Sequence, residues 1–200
     1  MSLTFAVWLV ILGAVFLANL PFVLDRPLAP WPWARALRPL GAPVRWAAGL
    51  GFLALLALWS WGTVRLAGGA FGGVGNALFV AKLLISIALA ALLLSAAGWM
   101  AGLPGDSAAA AARDAGGSSP AALPPRGVRV PAQSAKPFID RLLEVLVGYV
   151  LIGTLGFTME LDLGNAFPQG WEFYAVTLAL FLVLAYPGFV WRYLLQRRRR

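Results

Sequence analysis

Five long apolar stretches, separated by short polar or small-residue segments, set the plan of this chain. The first, Leu3–Leu24, reads LTFAVWLVILGAVFLANLPFVL. The second covers Trp46–Ala67, the third Ala77–Leu103, the fourth Phe138–Met159 and the fifth Phe173–Leu195. A helix rises about 1.5 Å per residue and the hydrocarbon core of a bilayer is about 30 Å thick, so about 20 apolar residues cross it. Each stretch reaches that length. The expected fold is all-α, a polytopic transmembrane protein of about five spanning helices. The first stretch does not read as a secretory signal, because no Lys or Arg precedes it and its apolar run is too long.

The segments between the spans differ in character. Residues 25–45 (DRPLAPWPWARALRPLGAPVR) form a linker rich in proline, tryptophan and arginine. Trp31 and Trp33 suit a membrane interface, and a short interfacial helix is predicted around Trp33–Leu40. The run AGGAFGGVG between spans two and three is short, so residues 46–103 form a tight helical hairpin. Residues 104–137 are small, polar and proline-rich with almost no large apolar side chains. Such a stretch buries too little surface to offset its ordering entropy, which predicts a disordered linker. The loop Glu160–Glu172 carries acids and no basic residue. Residues 138–195 make a second hairpin, and a basic tail, 196–200, closes the chain.

Charge orients this plan. Only 12% of residues are charged and 60% are hydrophobic, while the net charge is +8. The basic residues flank apolar segments, so they read as topology signals and as contacts to anionic lipid of the cytoplasmic leaflet, not as a nucleic-acid surface. With the arginine tail in the cytoplasm, both basic linkers are inside, and the acidic loop, the glycine-rich turn and the N-terminus are outside. Fourteen of the sixteen basic residues then lie on the cytoplasmic side. The expected protein is a multi-pass protein of a bacterial inner (plasma) membrane, N-terminus out and C-terminus in.

The chain has no cysteine and no histidine. That removes disulfides, iron–sulfur ligation, the usual zinc sites and haem held by histidine or cysteine, and with them the commonest general base near neutral pH. No catalytic, cofactor-binding or metal-ligating set emerges, so no enzyme and no cofactor is expected.

A few polar positions have both a functional and a structural reading. Asn19, in the first span, either bonds across helices or marks the headgroup zone. Arg65 and Lys82 lie near the outer ends of spans two and three. Charges inside a membrane default to function, but long side chains this close to a boundary also snorkel. Glu144, one to two turns into span four, is a proton-relay carboxylate or the local partner of Arg141, with Asp140 on the same face. A proton path needs further acids at mid-depth, and the other four spans have none. Pro168, Trp171, Glu172 and Tyr174 open span five. They suit an outer aromatic belt, with Glu172 favourable to the helix dipole. Pro187-Gly188 should kink that span. The whole run reads either as interface residues or as a docking surface for a larger membrane complex. Small-residue spacings, Ser86–Ala90 and Ala91–Ser95, and Gly148, Gly153 and Gly156 would let helices approach closely.

The stretches AVWLV and ANLPF of the first span, RLLE at Arg141–Glu144, and PQGWEFYAVT followed by LFLVLAYPGFVWRYL between Pro168 and Leu194 resemble a known family. It is a family of uncharacterised small inner-membrane proteins of Gram-negative bacteria, a domain of unknown function. Its genes tend to lie beside those of the respiratory NADH–quinone oxidoreductase, complex I. The resemblance covers Met1–Phe22 and Phe138–Leu195, under half of the chain. Members are usually shorter, lacking the segment that carries spans two and three here. It implies a non-catalytic accessory or assembly role, with complex I subunits as partners. The alternative is a small transporter or ion-conducting protein using Glu144, Lys82 and Arg65.

Overall fold

A computed structural model describes residues 3–24, 27–32, 37, 41–67, 76–102, 136–164 and 167–195. Apart from Leu37, the predicted interfacial helix at Trp33–Leu40 lies outside the described residues. So do the glycine-rich turn, nearly all of the 104–137 linker and the arginine tail. The elements are α1 (Leu3–Val23), α2 (Ala42–Ala67), α3 (Asn76–Gly102), α4 (Phe138–Asp162), α5 (Trp171–Leu184) and α6 (Tyr186–Val190), followed by a π-helical turn at Trp191–Leu195. Among the described residues all regular structure is helical. Five helical stretches are long and apolar enough to cross a membrane, the fifth running from Trp171 to Leu195 through a break at Ala185.

Two boundaries differ from the expected ones for local reasons. α2 begins at Ala42, four residues early, because Pro43 falls in the first turn, where its missing N–H is no loss. α4 runs past Met159 to Asp162. The polar residues Glu160 and Asp162 looked like loop, but what stops the helix is Gly164, whose φ of 81° is left-handed.

α4 is the hub. Half of it is buried, against 17–28% of each other span. Its residues enter all three apolar clusters. Val147 and Leu151 pack with Phe52, Leu56, Ala90 and Ala97 of the α2–α3 hairpin. Val145 and Ile152 pack with Ala14, Ala18 and Phe22 of α1 and Phe181 of α5. Leu155 and Met159 pack with Ala6, Phe79 and Leu83. These pairings fix the directions: successive spans run antiparallel. One end of the bundle, here the linker end, therefore collects the end of α1, the start of α2, the end of α3, the start of α4 and the end of the fifth span.

Trp8, Leu12 and Phe16 of α1, Leu84, Ile85 and Leu92 of α3, and Val176, Leu180 and Val183 of α5 lie exposed. So much contiguous outward apolar surface exceeds what a monomer in water tolerates and suits hydrocarbon. The helices of the second hairpin are held by Tyr149, whose hydroxyl donates to the Tyr174 carbonyl (3.0 Å) and bonds Thr177 Oγ1 (2.8 Å). Those of the first are held by Trp59 Nε1 donating to the Ser86 carbonyl (3.0 Å) and by Thr63 Oγ1 against Ser86 Oγ (2.6 Å). Ser86 and Ala90 face inward as their spacing suggests, whereas Ala91 and Ser95 lie on the exposed side.

Candidate functional site

The polar residues gather at the linker end, where α1 finishes against the start of α4. A helix leaves its last carbonyls without intrahelical donors, and its C-terminus carries partial negative charge. Arg141, wholly buried, answers both demands. Its Nη1 donates to the Pro21 carbonyl at 2.6 Å, with longer contacts to Phe22 (3.3 Å) and Leu24 (3.5 Å). The guanidinium is thus a cap supplied by one helix to another.

Glu144, 2% exposed, lies one turn further along α4. Its Oε1 accepts the Leu28 N–H at 2.8 Å, and its Oε2 pairs with Lys136. The expected local pair of Arg141 with Glu144 is replaced by these two contacts, because the guanidinium turns onto α1. One carboxylate therefore joins the chain leaving α1 to the chain entering α4. Burial lowers the pKa of the Lys136 ammonium from its ordinary value, and the facing Glu144 carboxylate opposes that shift. By sequence Lys136 belongs to the 104–137 linker. The available signal was its place just before Pro137, which occupies the N-cap position of α4.

A second tie joins α1 to the break in the fifth span. In an uninterrupted helix the Gly188 N–H would bond the Leu184 carbonyl, four residues back. Here the Asn19 carboxamide is inserted between them. Asn19 Oδ1 accepts the Gly188 N–H at 2.7 Å, and Nδ2 donates to the Leu184 carbonyl at 2.9 Å and to the Val15 carbonyl at 2.7 Å. The exposed Pro187 removes a further backbone donor in the same turn. A methyl group on Gly188 would stand 2.7 Å from Asn19 Oδ1 and 3.1 Å from Phe22 Cβ, so only glycine lets the helices meet here. Phe22, Phe138, Phe189 and Tyr193 close around the tie with ring centroids 5.0–6.2 Å apart.

The other sequence candidates lie apart from this region. Arg65 and Lys82 are exposed near the opposite end. The Arg65 guanidinium lies over the Trp61 ring at 5.5 Å. Leu83, beside Lys82, packs against Leu155, which is about 16 Å further along α4 than Glu144. The three charges of the transport alternative are therefore not brought together. Pro168, Trp171, Glu172 and Tyr174 are all exposed at that opposite end, Trp171 at 76%. Of the three α4 glycines, Gly148 lies tight against α1, where a methyl would sit 3.3 Å from the Leu17 carbonyl oxygen. Gly156 is in ordinary contact with Val10, and Gly153 faces open space, so its expected packing role is not realised.

Residues 126–196 match a family described as a protein of unknown function, DUF2818. The matched part contains α4, α5 and α6, and with them Arg141, Glu144 and the Pro187-Gly188 break. α1, which supplies the partners of those residues, lies outside it, as does the α2–α3 hairpin. No curated protein and no solved structure matches the chain.

Proposed function

We propose that this chain is a non-catalytic, multi-pass protein of a bacterial inner membrane. Its N-terminus is outside and its C-terminus in the cytoplasm, and it serves as an accessory or assembly partner of the respiratory NADH–quinone oxidoreductase. The observation that supports a scaffold most directly is how the buried polar groups are used. Arg141, Glu144 and Asn19 reach to backbone or to Lys136 inside the bundle and hold its helices in place. The surface outside them is apolar and aromatic, suited to lipid and to other membrane helices. The basic linkers and arginine tail support the orientation. The respiratory complex enters through the family resemblance of the matched C-terminal part.

Deleting the gene tests this reading. NADH-dependent quinone reduction in membrane vesicles should fall, with less assembled enzyme on native gels, and should recover when the gene is returned. Normal amounts of fully assembled, active enzyme in the deletion strain would overturn it.

A further inference from the structure

We propose that the α2–α3 hairpin carries a binding groove for one anionic phospholipid, with an acyl chain between the helices and the phosphate at Arg45. A cavity of about 260 Å³ lies between the two helices at the linker end, lined by Ala47, Ala48, Gly51 and Leu55 on α2 and by Leu93 and Ala96 on α3, with Phe52 and Ala97 at its floor. The lining is apolar throughout. Ala47, Gly51, Leu55 and Ala96 are exposed, so the groove opens on the outer face of the hairpin and not into the bundle. Small side chains make the hollow: a helix pair filled by leucine would close it.

Its position selects the occupant. The groove spans the first four turns of α2 and the last turns of α3, within about 20 Å of the helix ends, so it opens on the leaflet at the linker end. Only hydrocarbon is abundant there. Trp46 on α2 and Trp99 on α3, exposed at 56% and 67% on other faces of the two helices, mark the interface at this level. Arg45, one turn before Ala48, supplies the charge. Its Nε is buried and makes no hydrogen bond among the described residues. Nor does any acid pair with it among them, since Lys136–Glu144 is the ion pair found there. A cation without a carboxylate, within the helical turn before the groove begins at its linker end, fits a lipid phosphate above its acyl chain.

The inference rests on α2 and α3 crossing a membrane, and is independent of any respiratory partner. The test is native mass spectrometry of the full chain, purified in mild detergent and exposed to mixed micelles of phosphatidylglycerol and phosphatidylethanolamine. The wild type should retain one phosphatidylglycerol in preference. Gly51→Leu is the discriminating variant. No atom lies within 4 Å of a methyl placed at Gly51, so the new side chain enters the groove without striking the protein. It should abolish retention of either lipid while melting like the wild type. Arg45→Gln should lower the preference for the anionic lipid about fivefold, the effect of one basic residue near an anionic surface. Equal retention of both lipids by the wild type, or undiminished retention by Gly51→Leu, would overturn the site. Extraction of the chain from membranes by alkaline carbonate would instead overturn the membrane reading beneath it.

Discussion

At the scale of single residues, two side chains hold the end of α1, and each implies a measurable loss. Arg141→Met removes the donor for the Pro21 carbonyl and its neighbours in a buried site. Hydrogen bonds from charged groups contribute about 1.5–3 kcal/mol, so a destabilisation of about 2–3 kcal/mol is expected in detergent unfolding. Arg141→Lys keeps the charge but loses the planar fork, and should fall between the two. Asn19→Leu leaves Gly188 N–H and Leu184 C=O facing a side chain that cannot bond them. Side-chain hydrogen bonds between membrane helices average below about 1 kcal/mol and reach about 1.7 kcal/mol, so a loss of about 1–2 kcal/mol is expected. No change for either variant would mean that these contacts are incidental. These residues stand out in sequence as polarity inside apolar runs. Their partners do not, because Arg141 and Asn19 both bond backbone, and a backbone group carries no residue-type signal.

At the scale of elements, close approach is decided by which glycines face a neighbouring backbone. A methyl at Gly98 would stand 2.8 Å from the Pro27 carbonyl oxygen, which cannot rotate away. Gly98→Ala should therefore push the end of α3 from the chain leaving α1, at a cost of about 1–3 kcal/mol. Gly153→Ala meets open space and should be neutral, or stabilising by up to about 1 kcal/mol through helix propensity. Parallel thermal melts of the two variants check the contrast; equal effects would contradict it. Both are glycines in apolar runs; the expectation from sequence names Gly153 for close packing and makes no statement about Gly98. The spans themselves were legible because twenty-odd apolar residues leave a long, unambiguous signal. Which face of a span meets a neighbour was not, since α1, α2 and α3 are apolar all round and have no polar side to mark the outside.

At the scale of the whole molecule, the bundle is a hub helix with a hairpin on one side and α1 and the fifth span on the other. The proposed orientation follows from charge and is open to direct labelling, because the chain has no cysteine of its own. In intact spheroplasts, a membrane-impermeant maleimide should label Leu163→Cys, and should label Ser119→Cys only after lysis. The reverse pattern would invert the protein. The accessory role is tested most directly by migration. An epitope-tagged chain solubilised in mild detergent should run on a native gel in the band that carries NADH dehydrogenase activity, and should leave that band when the oxidoreductase genes are removed. A chain that runs apart from that band in every mild detergent, with the band's activity undiminished, would contradict the account.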